Sequence, residues 1–440
     1  MALAIGRQIR EYMNMQWSEI DARYPEWENP GVHLAQQVMA AQDSIEWDGS
    51  IPVFLGWAEP IVNASSDKLF RPVVLNDISE WPTEWDKQNV LFHTVRHYFD
   101  NGGTVCYVVN RGEKPAEISA DAVTSVVTKL CTSFLMELRI SLVAIPQLTE
   151  WLADDAPESV ASNHIRAWQA LREACGSRRD LFFVLDAPRE MTVARKCIEI
   201  IRDTEHRIFE NNWGQHAAIY GPHLVTDYAD LGLHYLVLPP CGAVLGLISR
   251  VDQQVGIWTA PANEELAHTI EPEYRETEAR DWFEFSKPSM NVIRSFPGRG
   301  VRVWGCRTLA TDADSPMRYV QVRRLLTYIE ENLSMLCRFA VFESNDAMTW
   351  YKLYAVISDW LHELWSAGGL AGVSEEQAFQ IQIGLNGSMT VDDVANGLLI
   401  IRVKLAVLNA AEFVEIQLTV NQPASAQSEG SMGGGNGQRS

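Results

Sequence analysis

The sequence predicts an α/β protein long enough for two domains. Its middle third alternates strand-like and helix-like stretches, the rhythm of a largely parallel sheet covered by helices. Near the C-terminus three segments switch to strict period-two patterning, the pattern of half-buried strands. With 440 residues, 47% hydrophobic and 21% charged, the chain can fill two cores and has the composition of a globular protein.

In chain order, Ile5, Ile9, Met13 and Trp17 fall four apart within residues 1–29, an amphipathic helix that either docks on its own domain or binds a partner. Pro30, Gly31, Val32, His33 and Leu34 open an extended segment that leads to an apolar run at 51–59, a buried strand. A helix over 89–100 turns Leu91, Phe92, Val95 and Phe99 inward and stops at Asn101, Gly102 and Gly103, where a left-handed cap needs asparagine or glycine. A strand over 104–109 follows at once, so the glycines end a helix, the reverse of a phosphate-binding loop. Strand 138–144 precedes helix 163–174, strand 181–185 precedes helix 192–202, and 235–238 is a further strand.

Gly242 and Gly246 then permit close packing of a helix that starts at Pro239-Pro240. The turn at Pro297-Gly298 feeds a strand in which Val301 and Val303 alternate with Arg302 and Trp304. Asp312, Asp314, Ser315 and Pro316 start a helix whose Val322, Leu325, Leu326, Ile329, Leu333 and Leu336 share one face, while Arg323, Arg324, Glu330 and Glu331 point elsewhere. A second amphipathic helix carries Trp350, Leu353, Ile357, Trp360, Leu361 and Leu364 and ends at Gly368-Gly369. The three late strands place Phe379, Ile381 and Ile383, then Leu399, Ile401, Val403 and Leu405, then Val414, Ile416, Leu418 and Val420 on one face each. From pattern alone the third is an edge strand of its own chain, and the Gly, Ser and Gln tail that follows is expected to be disordered.

Composition narrows the chemistry. Lys and Arg number 36 against 57 Asp and Glu, and a formal charge of -21 disfavours nucleic acid, which binds through cations on phosphates. Seven scattered cysteines without a Cys-x-x-Cys pair suit a reducing compartment. No apolar run approaches the roughly 20 residues of a membrane helix, and the N-terminus lacks a signal-peptide pattern. Asp186, at the end of a strand, stands where open α/β folds place functional acids, with an exposed turn aspartate before Pro188 as the alternative. His93 and His97 sit four apart without a third donor, and His362-Glu363 lacks the second histidine of a zinc motif, so neither pair predicts a metal.

Several stretches carry a resemblance. Residues 294–300 (Arg-Ser-Phe-Pro-Gly-Arg-Gly), Val303-Trp304-Gly305, residues 319–325 and residues 339–346 resemble the C-terminal domain of contractile tail sheath proteins. Asn101-Gly102-Gly103, the Pro239-Pro240-Cys241-Gly242 helix start and the loop at 256–263 are similar to the family too, with Thr259 where its lysine stands. At the ends, Pro30-Gly31-Val32 is similar to the family's arm, with His33 for an aromatic, and Ala410-Ala411-Glu412-Phe413 to its linker, with alanine for proline.

The resemblance implies a two-domain tail-sheath fold: an N-terminal segment and arm over 1–50, an outer domain over 51–268, a tube-proximal domain over 269–420 and a tail over 421–440. Its extended arms, Pro30, Gly31, Val32, His33 and Leu34 at one end and Glu412, Phe413, Val414, Glu415, Ile416, Gln417 and Leu418 at the other, would add strands to neighbouring subunits. Either the helix bearing Arg323 and Arg324, the candidate contact residues, or the helix from Trp350 would touch an inner tube. The implied role is structural, without catalytic residues, metal or cofactor. Hexameric rings would stack into a helical sheath whose contraction, driven by stored conformational energy, pushes the tube through a target envelope. Implied partners are further copies or paralogues, the tube protein, and baseplate and terminator or cap proteins, with no nucleic acid and no membrane insertion. Assembly would occur in a bacterial cytoplasm, before incorporation in a phage tail or released particle. A specialised ring or adaptor beside the baseplate or cap shares every motif, and an enzyme centred on Asp186 is the competing class.

Overall fold

The computed structural model describes residues 31–34, 47–61, 68–152, 156–203, 213–229, 235–275, 277–282, 284, 286–312, 314–385, 387–408 and 413–421, with the backbone alone at 31–34 and 413–421. In chain order the strands and longer helices are β1 (Gly31–Leu34), β2 (Pro52–Gly56), β3 (Pro72–Leu75), α1 (Val90–Asp100), β4 (Cys106–Asn110), α2 (Ala120–Thr132), β5 (Leu142–Ala144), α3 (Pro157–Ala174), β6 (Phe182–Asp186), α4 (Met191–Arg202), β7 (Ala217–Gly221), β8 (Leu224–Thr226), β9 (Leu236–Leu238), α5 (Cys241–Gln254) and β10 (Thr269–Pro272). The rest are β11 (Asn291–Phe296), β12 (Gly300–Trp304), α6 (Val320–Leu336), α7 (Ala347–Ser366), β13 (Phe379–Ile383), β14 (Leu398–Ala406) and β15 (Phe413–Asn421). The expected helix within 1–29 lies outside the described residues.

An eight-stranded sheet, ordered β12-β11-β7-β6-β5-β2-β4-β3, forms the centre of the larger domain. Its six inner strands run parallel and its two outer ones, β12 and β3, antiparallel. Strands β2, β4, β6 and β7 are buried at every position, as expected where helices cover both faces. Alternate residues feed separate cores. Val53, Leu55 and Phe183 meet α2, α3 and α4 through Val127, Trp168 and Ile198. Phe54, Val108 and Val184 meet α1 and α5 through Leu91, Val95 and Leu245.

Helix α1 begins where Asn89 accepts a hydrogen bond from the Phe92 N–H and ends at Asn101, with Gly102 at φ 103°. Helix α5 packs closely on it at two glycines. A Cβ on Gly242 would lie 2.3 Å from the Thr94 carbonyl oxygen and one on Gly246 2.4 Å from that of Tyr98.

Strand β11 continues the parallel sheet beside β7, with Asn291 opposite Tyr220, and β12 closes it as a hairpin. Between α5 and β11 the chain adds β10 to β8 and β9, which precede α5, in a small antiparallel sheet ordered β10-β8-β9; β9 is the strand expected in the parallel sheet at 235–238. The second domain begins with α6. There Leu326, Ile329 and Leu333 pack with Leu353, Ile357 and Leu361 of α7 against Leu399, Ile401 and Val403 of β14. Its antiparallel sheet runs β1-β15-β14-β13.

Candidate assembly interface

The sheet of the second domain joins the two ends of the chain. Strand β15 pairs with β14 along nine residues, from Leu398 opposite Asn421 to Ala406 opposite Phe413. Strand β1 then pairs with the far side of β15, Gly31 opposite Asn421 and Leu34 opposite Leu418. Of the expected arm residues, Gly31, Val32, His33 and Leu34 meet only the last part of β15, with Leu34 opposite Leu418, while Phe413, Val414, Glu415, Ile416 and Gln417 pair with β14; Pro30 and Glu412 lie outside the described residues. Within the chain these strands pair with each other and with β14. The physical reason is an edge: β14 would otherwise present a row of unpaired backbone groups beside the fully buried Leu399, Ile401, Val403 and Leu405.

The root of the N-terminal arm is clamped at the junction of the two domains. The Trp47 N–H donates to Asn332 Oδ1 at 2.9 Å, and Arg324 Nη2 donates to the Gly49 carbonyl at 2.9 Å. Arg324 also forms a bidentate pair with Asp252 of α5, Nη1 donating to Oδ1 at 3.1 Å. Arg323 donates to Thr327 Oγ1 and, at 2.9 Å, to Glu330 Oε2. Burial raises the Asp252 carboxyl above its ordinary value while Arg324 opposes the rise. The two arginines are only 2% and 3% exposed, so the reading of them as tube contacts is corrected. Their partners come from other elements and from the next helical turns, and together they hold α5, α6 and the turn at Gly49 in one place.

The remaining sequence candidates are structural too. Asp186 is 8% exposed rather than an open turn residue, and its Oδ1 accepts from the Cys241 N–H at 2.8 Å, capping the first turn of α5. Burial pushes its carboxyl up to about 7. His97 sits in the α1 core with Nε2 3.0 Å from the Ala267 carbonyl, and burial lowers its ring to about 4. His362 is exposed beside Glu375 on the surface of α7. Among the described residues no group of three or more His, Cys, Asp or Glu could hold a metal. Sequence reasoning missed the outward face of α7, where Met348, Tyr351 and Tyr354 are 64%, 73% and 47% exposed. The signal was available in their spacing of three, on the side opposite Leu353 and Ile357.

Family models match residues 153–309, as the phage tail sheath protein central domain, and 312–421, as the phage tail sheath C-terminal domain. The chain belongs to the contractile tail sheath family. The gap between the two matches falls in the stretch between β12 and α6. The sheath chain is 32% identical to a chain in the cryo-electron-microscopy structure of the anti-feeding prophage (AFP) baseplate in its contracted state, with a TM-score of 0.74, covering 86% of this chain and 95% of that one. It is 26% identical to a chain of the PVC sheath complex, an extracellular contractile injection system in its contracted state, with a TM-score of 0.62 and coverage of 88% and 96%. A tail sheath protein of Salmonella phage ViI is 21% identical over 219 residues, 46% of this chain, and the match spans 32% of that protein, about a third of its length. Together these make the chain a structural subunit of a contractile injection apparatus.

Proposed function

We propose that copies of this chain polymerise into a helical sheath around an inner tube by exchanging their end strands, and that contraction of the lattice drives the tube through a target envelope. One observation carries the exchange. The sheet over the second core is completed by two strands from opposite chain ends, so a neighbour's β15 can fill the same nine-residue register on β14 as the chain's own. Exchange conserves the backbone hydrogen bonds and changes only which body supplies the strand. The clamp at Arg324 and Gly49 keeps the arm root fixed on its own body while the arm reaches away.

The tube-facing surface in this reading is the exposed face of α7, since Arg323 and Arg324 are occupied inside. Assembly in a bacterial cytoplasm, with baseplate, cap and paralogous subunits as further partners, belongs to the same proposal. The test mixes two variants, Arg402→Cys and Gln417→Cys, which are register partners in β14 and β15. Under mild oxidation assembled sheath should yield covalent dimers of the two variants. Polymers that assemble without such dimers would show that each β15 stays on its own chain.

A second reading, a specialised ring against a baseplate, is favoured by the higher identity to the AFP baseplate chain than to the PVC sheath chain, 32% against 26%. Labelled chain confined to one end of particles would select it.

A further inference from the structure

Two features stand at the surface of this chain. The first is on the β11–β12 hairpin. The Arg294 guanidinium lies 4.6 Å from the centre of the Phe296 ring and 5.5 Å from that of Trp304, the two rings are 4.7 Å apart, and Arg299 stands 5.8 Å from Phe296. Trp304 is 44% exposed. The platform is held ready: Arg302 Nε donates to the Arg299 carbonyl at 2.9 Å, and Arg299 Nη2 donates to Asn263 Oδ1 at 3.2 Å.

The second feature is the turn between α6 and α7. Phe342 is 71% exposed and has a φ of 74°, in the left-handed region that penalises residues with a Cβ. Glycine or asparagine would relieve that strain, and an outward phenyl ring gives the isolated chain nothing in return. Glu343 beside it is exposed, and Asp346 accepts from the Met348 and Thr349 N–H groups, fixing the end of the turn to α7. A strained outward aromatic next to carboxylates is the complement of rings flanked by guanidinium groups. Ring meets ring, and carboxylate meets arginine.

We infer that the Arg294–Phe296–Trp304–Arg299 platform docks the turn at 342–346 of a second copy. The occupant is a copy of this chain because the chain totals -21, which makes cationic aromatic surface scarce on it and acidic turns plentiful on its neighbours. Platform and turn are different surfaces, so the contact is heterologous and propagates along a polymer without closing into a dimer. This inference rests on the sheath reading and adds a contact that does not involve the end strands.

The experiment compares polymerisation of purified full chain by sedimentation and negative-stain microscopy for wild type, Arg299→Glu, Glu343→Arg, the double variant and Phe342→Gly. Thermal melts of each monomer confirm that it folds. Each single charge reversal should raise the concentration needed for polymer by about tenfold, and the double variant should return it to near the wild-type value. Phe342→Gly should weaken polymer while leaving the monomer melt unchanged or higher. Wild type that stays monomeric would sink the sheath reading and this contact with it. Wild type that polymerises alongside equally competent Arg299→Glu, Glu343→Arg and Phe342→Gly chains, or a double variant as impaired as its parents, would overturn this contact alone.

Discussion

At the scale of single residues, Asp186 shows how an acid in a functional-looking position is used for architecture. It sits at the end of a parallel strand, beside the N-terminus of α5, where the helix dipole and the Cys241 N–H favour its charge. Burial wins over both, and the carboxyl is held at about 7. Because the folded value lies above the ordinary one, the stability linked to protonation is present at low pH and is lost as pH rises through about 7. Asp186→Asn keeps an acceptor for Cys241 and removes the titration. Its stability relative to wild type should therefore improve between about pH 5 and pH 8, by on the order of 1 kcal/mol or more. His97 and His164, both lowered to about 4 by burial, work in the opposite sense and lose stability as pH falls below their ordinary value. They are common to both proteins, so the difference between two urea titrations isolates Asp186. A difference that does not change with pH would mean that the carboxyl ionises as it does in water.

At the scale of elements, the packing of α5 on α1 sets two effects of similar size against each other. Alanine at Gly246 would improve helix propensity by about 1 kcal/mol, yet its Cβ would lie 2.4 Å from the Tyr98 carbonyl oxygen, a backbone atom that cannot swing away. Overpacking of about 1–3 kcal/mol should prevail, so Gly246→Ala is expected to lower the melting temperature of the monomer. A raised melting temperature would show that α5 shifts freely. Close packing here was legible from the two glycines, as were the alternation of strands with helices and the period-two strands of the C-terminal sheet. Helix α2 has no counterpart among the elements expected from sequence. Ser119 caps it and Val123, Val127 and Leu130 form its stripe, but a short segment rich in valine has mixed propensities. The place of β11 in the parallel sheet and the burial of Arg324 were not legible for one shared reason. Both depend on partners distant in sequence: Tyr220 for β11 and, 72 positions away, Asp252 for Arg324. Periodicity reports which face of an element is apolar; it does not report what arrives to cover the other face.

At the scale of the whole molecule, the charge of -21 bears on how copies meet. Strand exchange consists of backbone hydrogen bonds and apolar burial, which salt barely alters, whereas mutual repulsion between whole subunits is long-ranged. The screening length is about 30 Å at 0.01 M salt and about 8 Å at 0.15 M, so repulsion that spans a subunit in dilute buffer is confined to near contact at physiological ionic strength. The protein concentration required for polymer should fall several-fold, by roughly 3- to 10-fold, between those two conditions. The proposed contact of Arg299 with Glu343 does not reverse this, because one pair excluded from water at an interface is screened less than the field between two bodies. Above about 1 M the concentration should change little, since the contacts that then hold the lattice are short-ranged. Sedimentation of the polymer across a salt series measures the trend directly. A concentration requirement that climbs steadily from the lowest salt would mean that surface ion pairs, rather than exchanged strands, join the copies.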